Sequence, residues 1–253
     1  MPSLVIIPTY NERDNLPILV RQIMTYPELH VLVADDHSPD GTGEIADALA
    51  REFPGRIDVL HRTGPRGLGR SYLEAISRAI TGDWTAICQM DGDLSHDPQY
   101  LPAMLSALED HDLAIGSRYL GGVSVVNWPL RRIVLSAFAN RYVRLVTRLR
   151  VNDCTSGYRC WRRDALARLP LDRIVSEGYA FLVEMLYDAW QLGSRVTEVP
   201  IVFVERRHGT SKLSGRVLLE SLLMPWRLVL RARLRGRRPH AAGPNDAGKG
   251  RQA

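Results

Sequence analysis

Between Leu4 and Ser117, short apolar runs alternate with stretches whose apolar residues recur every three or four positions. LVII (Leu4 to Ile7), HVLVA (His30 to Ala34), RIDVLHR (Arg56 to Arg62), WTAICQM (Trp84 to Met90) and DLAIGS (Asp112 to Ser117) read as strands. Asn15 to Tyr26 reads as a helix with Leu16, Leu19, Val20 and Ile23 on one face, and Gly43 to Phe53, Leu68 to Ile80 and Tyr100 to Leu108 follow the same period. Continuous apolar strands separated by helices predict a mostly parallel sheet buried on both faces. Right-handed crossovers make such an α/β sheet doubly wound.

After Tyr119 the rhythm changes. Gly121-Gly122 and Asn127-Trp128-Pro129 mark a long loop. Leu130 to Leu149 is helical by period, with Arg131, Arg132, Arg141, Arg144 and Arg148 among its apolar positions. Val151 to Arg163 reads as a polar loop or a short strand, Gly178 to Leu192 as a helix, Arg195 to Glu205 as a strand, and Arg206 to Gly215 as a basic loop. Val217 to Leu234 is a last helix. Its Val217, Leu218, Ser221, Leu222, Pro225, Leu228, Val229 and Ala232 group at helical spacing, with Arg216, Arg227, Arg231, Arg233 and Arg235 near or between them. This amphipathic, basic helix is expected to rest on anionic lipid over its later turns, the plainer alternative being a core helix. Residues 1–235 form one expected domain, and the Gly/Pro/Ala-rich residues 236–253 an expected disordered tail.

The 253 residues carry a formal net charge of +5, which points to an anionic partner. Nucleic acid fits poorly, because the basic residues of the last helix lack the interleaved aromatics of a base-stacking surface. Cys88, Cys154 and Cys160 have no zinc spacing and an odd count, so reduced thiols are expected, with Cys88 in the core. MPSLVIIPTYNE has no basic lead and too short an apolar run for a signal peptide, and no apolar run reaches the roughly 18 residues of a membrane span. The expectation is a cytoplasmic protein, peripheral on the cytoplasmic face of a membrane.

Candidate chemistry lies where the predicted strands end. The carboxyl edge of a doubly wound sheet is the ligand side. The strands there run into Pro8-Thr9-Tyr10-Asn11-Glu12, Asp35-Asp36-His37-Ser38, Asp91-Gly92-Asp93 and Gly116-Ser117-Arg118-Tyr119. Gly64-Pro65-Arg66-Gly67-Leu68-Gly69 follows the third strand, not the first, and matches no dinucleotide or Walker pattern. Asp91 and Asp93, two apart in extended chain, project the same way. Paired hard carboxylates suit Mg²⁺ or Mn²⁺ shared with substrate phosphates, against the plainer alternative of a solvated turn.

PTYNE, DDHSPDGT, GLG, MDGDLSH, GSRY, NWPLRR, TSGYR and RRHGTSKLSG occur in the order seen in polyprenol-phosphate (dolichol-phosphate) mannose synthases. The chain resembles these inverting family 2 glycosyltransferases of GT-A fold from about Leu4 to Leu230. The resemblance implies mannosyl transfer from GDP-mannose to a polyprenyl phosphate. It implies that Pro8, Tyr10, Glu12, Ala34 and Asp36 hold the nucleoside, and that Asp91, Gly92 and Asp93 face diphosphate and metal. Arg118 would contact phosphate, Arg132 and Ser136 would hold the acceptor, and Arg206 and Lys212 would close over the donor. Ser95 stands where relatives often carry a metal-ligating Gln, and is expected to coordinate directly or through water. Glucosyl or other sugar transfer to the same acceptor, and a non-catalytic nucleotide- or membrane-binding module, are the alternatives. Whether a separate protein anchors the chain to a membrane is left open. His37, His96 and His208 are expected to be dispensable, because a phosphate monoester needs no base to become an oxyanion.

Overall fold

The computed structural model of the protein describes residues 2–174, 176, 178, 180–204 and 215–234, with the backbone alone for 215–221. In chain order the elements are β1 (Ser3–Thr9), α1 (Leu16–Ile23), β2 (Leu29–Asp35), α2 (Thr42–Glu52), β3 (Ile57–His61), α3 (Leu68–Ala79), β4 (Ala86–Gln89), α4 (Leu101–Ser106), β5 (Leu113–Ser117), β6 (Val125–Val126), α5 (Leu130–Thr147), β7 (Arg159–Arg162), α6 (Arg163–Ala167), α7 (Ala180–Gln191), β8 (Val196–Pro200), β9 (Phe203–Val204) and α8 (Gly215–Leu234). The main sheet has seven strands in the order β3-β2-β1-β4-β7-β5-β8, and β6 pairs with β9 beside it.

The predicted βα alternation is present. β1, β2, β3 and β4 are mutually parallel, as are β5 and β8. The apolar runs face both ways because both faces are covered. Val5, Ile7, Val31 and Val33 pack with Leu16, Leu19 and Val20 of α1, Leu49 of α2 and Leu101 of α4. Leu4, Ile6, Leu32 and Ile87 pack with Tyr72 and Ile76 of α3 and Phe181 and Met185 of α7. The order reverses between β1 and β4, and this crevice at the carboxyl edge is the expected ligand position.

The segment left open between loop and strand contains β7, which lies antiparallel between β4 and β5. Arg159, at 0% exposure, is buried within it. Its guanidinium donates to the carbonyls of Ser156 (2.9 Å), Leu182 (2.7 Å) and Cys154 (2.9 Å). Burial pulls this group down to about 10, so it is still charged at neutral pH. Opposite one another in register, Cys88 and Cys160 have Cα atoms 4.1 Å apart and are joined as a disulfide; of the three expected free thiols only Cys154 is one.

The last helix corrects the predicted stripe. Leu228 and Ala232 pack in the core with Met224, while Leu222, Leu223, Trp226, Leu230 and Leu234 are exposed. Arg231, expected among the lipid-facing cations, instead bridges to buried Glu184 (2.5 Å) and Asp188 (2.9 Å) of α7. The expected tail lies outside the described residues.

Candidate active site

Three strand ends build the site. After β1, β2 and β4 the chain turns at Asn11, His37 and Leu94, each with φ near +60°. Left-handed backbone at non-glycine residues costs free energy, and here it clusters at the rim that carries the acids. A cleft of about 330 Å³ opens between these turns, lined by Pro8, Thr9, Tyr10, Glu12, Asp36, Arg66, Gly67, Leu68, Ser71, Asp91, Gly92 and Asp93.

Asp91 and Asp93 are held by neighbours that aim them. The Tyr72 hydroxyl donates to Asp91 Oδ1 at 3.0 Å. Burial first, and then the Asp91 charge, hold that phenol well above its ordinary pKa, so it is a fixed donor. The Asp91 backbone N–H donates to His96 Nδ1 at 3.1 Å, which places any ring proton on Nε2. Burial lowers the His96 pKa against the opposing pull of Asp91 and Asp93, and the ring is neutral at neutral pH. Gly157 lies beside the same carboxylate: a Cβ there would stand 3.4 Å from Asp91 Oδ2, an ordinary contact distance. Ser95, expected beside the metal, sits directly against Asp93. It is 2% exposed, does not line the cleft, and gives both its hydroxyl (2.5 Å) and its N–H (3.1 Å) to Asp93 Oδ1. It orients Asp93 from behind.

Elsewhere on the cleft, Asp36 accepts from the Gly67 N–H at 2.8 Å and pairs with buried Arg62, which also reaches Glu74 and Ser71. The Gly67 amide is thus taken by a carboxylate and is no phosphate cradle. Fixed this way, the segment sets the Arg66 guanidinium 4.4 Å over the Tyr10 ring. Ala34, expected near the nucleoside, is fully buried in β2 and packs in the core.

A second cluster forms where β5 ends. Arg118 grips Asp153 with a two-pronged fork, 2.7 Å from each carboxylate oxygen, and its backbone N–H adds a third bond at 3.0 Å. Burial raises the Asp153 carboxyl, but the Arg118 charge and its hydrogen bonds outweigh this and hold it below the usual carboxylate range. Arg118 therefore brings a balanced pair to the site, not the net cation that the sequence suggested. Its guanidinium lies 5.5–5.7 Å from the rings of Trp128, Phe203 and Tyr119. Arg132 stacks 4.1 Å over Trp128, and Ser136 stands beside the Tyr119 hydroxyl. Phe203 meets both His96 (5.5 Å) and Trp128 (5.4 Å), so one aromatic wall links the acid turn to the arginine cluster. Arg206 and Lys212 lie outside the described residues.

A model of the family described as "Glycosyl transferase family 2" matches residues 4–169. The chain belongs to glycosyltransferase family 2. This glycosyltransferase is 44% identical over 234 residues to the polyprenol monophosphomannose synthase of Mycolicibacterium smegmatis, covering 92% of this chain and 88% of that one. It is 44% identical over 239 residues to the undecaprenyl-phosphate mannosyltransferase of Micrococcus luteus, covering 94% and 98%. Among solved structures, the glucosyl-3-phosphoglycerate synthase of Mycobacterium tuberculosis with Mn²⁺, UDP and phosphoglyceric acid matches with a TM-score of 0.62 at 20% identity, covering 97% of this chain and 80% of that one. A mannosyltransferase from Pyrobaculum calidifontis with GDP-Man and Mn²⁺ matches with a TM-score of 0.54 at 18% identity, covering 94% and 76%. The glycosyltransferase has the GT-A fold of these neighbours.

Sequence reasoning singled out the glycosyltransferase's Asp91 and Asp93 but missed the hydrogen bonds that Asp91 makes with Tyr72 and His96. It also missed Asp153, whose single letter in a polar loop carries no spacing signal. Truncating it takes the carboxylate of this pair from a buried Arg118, so Asp153→Ala should cost about 3–5 kcal/mol in urea unfolding. Because the folded pKa of Asp153 is depressed, its contribution is present above the unfolded value near 3.9 and lost as pH falls through the lower folded value. The gap between wild type and variant should hold from pH 7 to 5 and narrow below 4; equal midpoints at pH 7 would contradict the pair.

Proposed function

We propose that the protein transfers a mannosyl unit from GDP-mannose to a polyprenyl phosphate with inversion at the anomeric carbon. The observation that carries this is the 44% identity, over more than nine-tenths of the chain, to two proteins named for that kind of product. The geometry supports it. Tyr10, Glu12 and Asp36 line one end of the cleft for the nucleoside, and Asp91, Gly92 and Asp93 line the other for the diphosphate.

The donor set fits Mg²⁺ or Mn²⁺. Among the described residues no group of three or more His, Cys, Asp or Glu side chains closes a metal cage. Two aimed carboxylates are an incomplete set, of the kind completed by substrate phosphates. Asp91 and Asp93 would hold the ion, which when bound neutralises charge on the departing diphosphate. The polyprenyl phosphate attacks C1 of mannose with an oxygen that is already anionic at neutral pH, and the C1–O bond to GDP breaks. Arg132 and Ser136 hold that phosphate. Arg118, its charge balanced by Asp153, donates hydrogen bonds without adding net repulsion to other cations. Arg206 and Lys212 are the further cations assigned to the donor. No side chain acts as a base.

Incubated with labelled GDP-mannose, polyprenyl phosphate and Mn²⁺ or Mg²⁺, the protein should give label that extracts with lipid, and EDTA should stop it. Asp91→Asn or Asp93→Asn should lose at least about 100-fold in kcat. Label confined to the aqueous phase, or full turnover in EDTA, would refute the reading.

The acceptor implies a membrane, and among the described residues no helix is long and apolar enough to cross one. We propose peripheral docking on an anionic surface through α5 and α8. Exposed Leu130, Val134, Leu135 and Phe138 on α5 and Leu222, Leu223, Trp226 and Leu230 on α8 make the apolar face, and the Tyr142 hydroxyl ties the helices through the Leu222 carbonyl at 2.6 Å. Phe138→Glu with Trp226→Glu should reduce flotation with phosphatidylglycerol vesicles several-fold and leave solution unfolding unchanged. Undiminished flotation would exclude this face.

A further inference from the structure

The arginine cluster contains a buried donor that nothing in the fold uses. Trp128 Nε1 is inaccessible to solvent, and among the described residues it has no hydrogen-bond partner. An indole N–H can only donate. Buried donors without acceptors are uncommon in folded proteins and each calls for an explanation. Asn127 is left-handed (φ 64°) and Pro129 caps α5 with φ −66°, so the backbone on either side of Trp128 is restricted.

The surroundings define what the N–H lacks. The Arg132 guanidinium lies 4.1 Å over the ring, and that of Arg118 is 5.5 Å from it. A large electron-rich ring can accommodate cations against its face, leaving its polar edge for another contact. The Tyr119 hydroxyl is buried in the same niche, near Ser136 but without a hydrogen bond of good geometry. The carboxylate of the niche, Asp153, is already engaged by Arg118 and Thr155. The indole N–H and the Tyr119 phenol O–H are therefore two buried polar groups without partners among the described residues, in a niche that two guanidiniums border.

We propose that Trp128 Nε1–H donates a hydrogen bond to the phosphate of the acceptor, a monoester dianion, and so fixes the direction of its attacking oxygen. Resting on the acceptor assignment made above, this adds Trp128 as a substrate-contacting residue. Arg132 beside the ring supplies attraction, which is weakly directional. The N–H on a rigid ring supplies orientation, which attraction between charges does not.

The test removes the donor and keeps the ring. Trp128→benzothienylalanine, incorporated as an unnatural residue, replaces N–H by sulfur in a side chain of nearly the same shape. Binding of a short isoprenyl phosphate is read by calorimetry, and KM for polyprenyl phosphate and for GDP-mannose by lipid extraction. The isostere should weaken isoprenyl phosphate binding and raise the acceptor KM about tenfold, the range expected for loss of a charge-assisted hydrogen bond. KM for GDP-mannose and the urea midpoint should stay at wild-type values. Trp128→Phe should show the same split. If the isostere binds isoprenyl phosphate as tightly as wild type does, the ring acts by packing alone and the proposal fails. If wild type transfers no sugar yet the isostere still loses isoprenyl phosphate affinity, the acceptor contact stands and the transfer reaction is what fails. Inorganic phosphate in place of the isoprenyl ester shows whether the niche reads the phosphate group itself, and equal affinity of wild type and isostere for both ligands would overturn the assignment.

Discussion

A positive charge with no carboxylate partner among the described residues sits in the central sheet of this protein, and the site is assembled around it. Arg159 is fully buried in β7 and donates to three backbone carbonyls on two segments, the 154–156 turn and α7. A buried guanidinium is tolerable only where its donors are met, so the turn and the start of α7 must both come to it. The turn then has no freedom. Its Cys154 N–H reaches Asn140, Ser156 reaches the Gly116 carbonyl, and Glu198 accepts from the N–H groups of Asn152 and Asp153.

That single turn presents two things to two different places. Asp153 goes to Arg118 at the arginine cluster, and Gly157 goes against Asp91 at the acid turn. Two groups that must meet in a transfer reaction are thereby registered by one short piece of chain. The aromatic wall of His96, Phe203 and Trp128 spans the same gap from the other side. Positioning of this kind is the main contribution a protein can make when nucleophile and leaving group both carry phosphate charge.

The parallel half of the sheet was legible because its strands are uninterrupted apolar runs between periodic helices, a pattern that only a sheet buried on both faces requires. β7 was not legible, since RCWR carries a charged residue at a core position and its burial depends on carbonyls far along the chain. The rim acids could be read from their place at strand ends. Their supports could not, because Tyr72 looks like any apolar helix position and Ser95 like a ligand. In α8 the helical period was visible, but a helix with apolar residues on more than one side does not say which side packs; in the fold, half-buried Arg231 bridges to the buried Glu184 and Asp188.

If the turn registers both halves, disturbing its anchor must be felt at both. Arg159→Lys keeps the charge and loses the fork that meets three carbonyls. In the folded variant, calorimetric titrations with GDP and Mn²⁺ and, separately, with a short isoprenyl phosphate should both show weaker binding than wild type. Loss of one affinity with the other intact, or wild-type binding of both, would contradict the account.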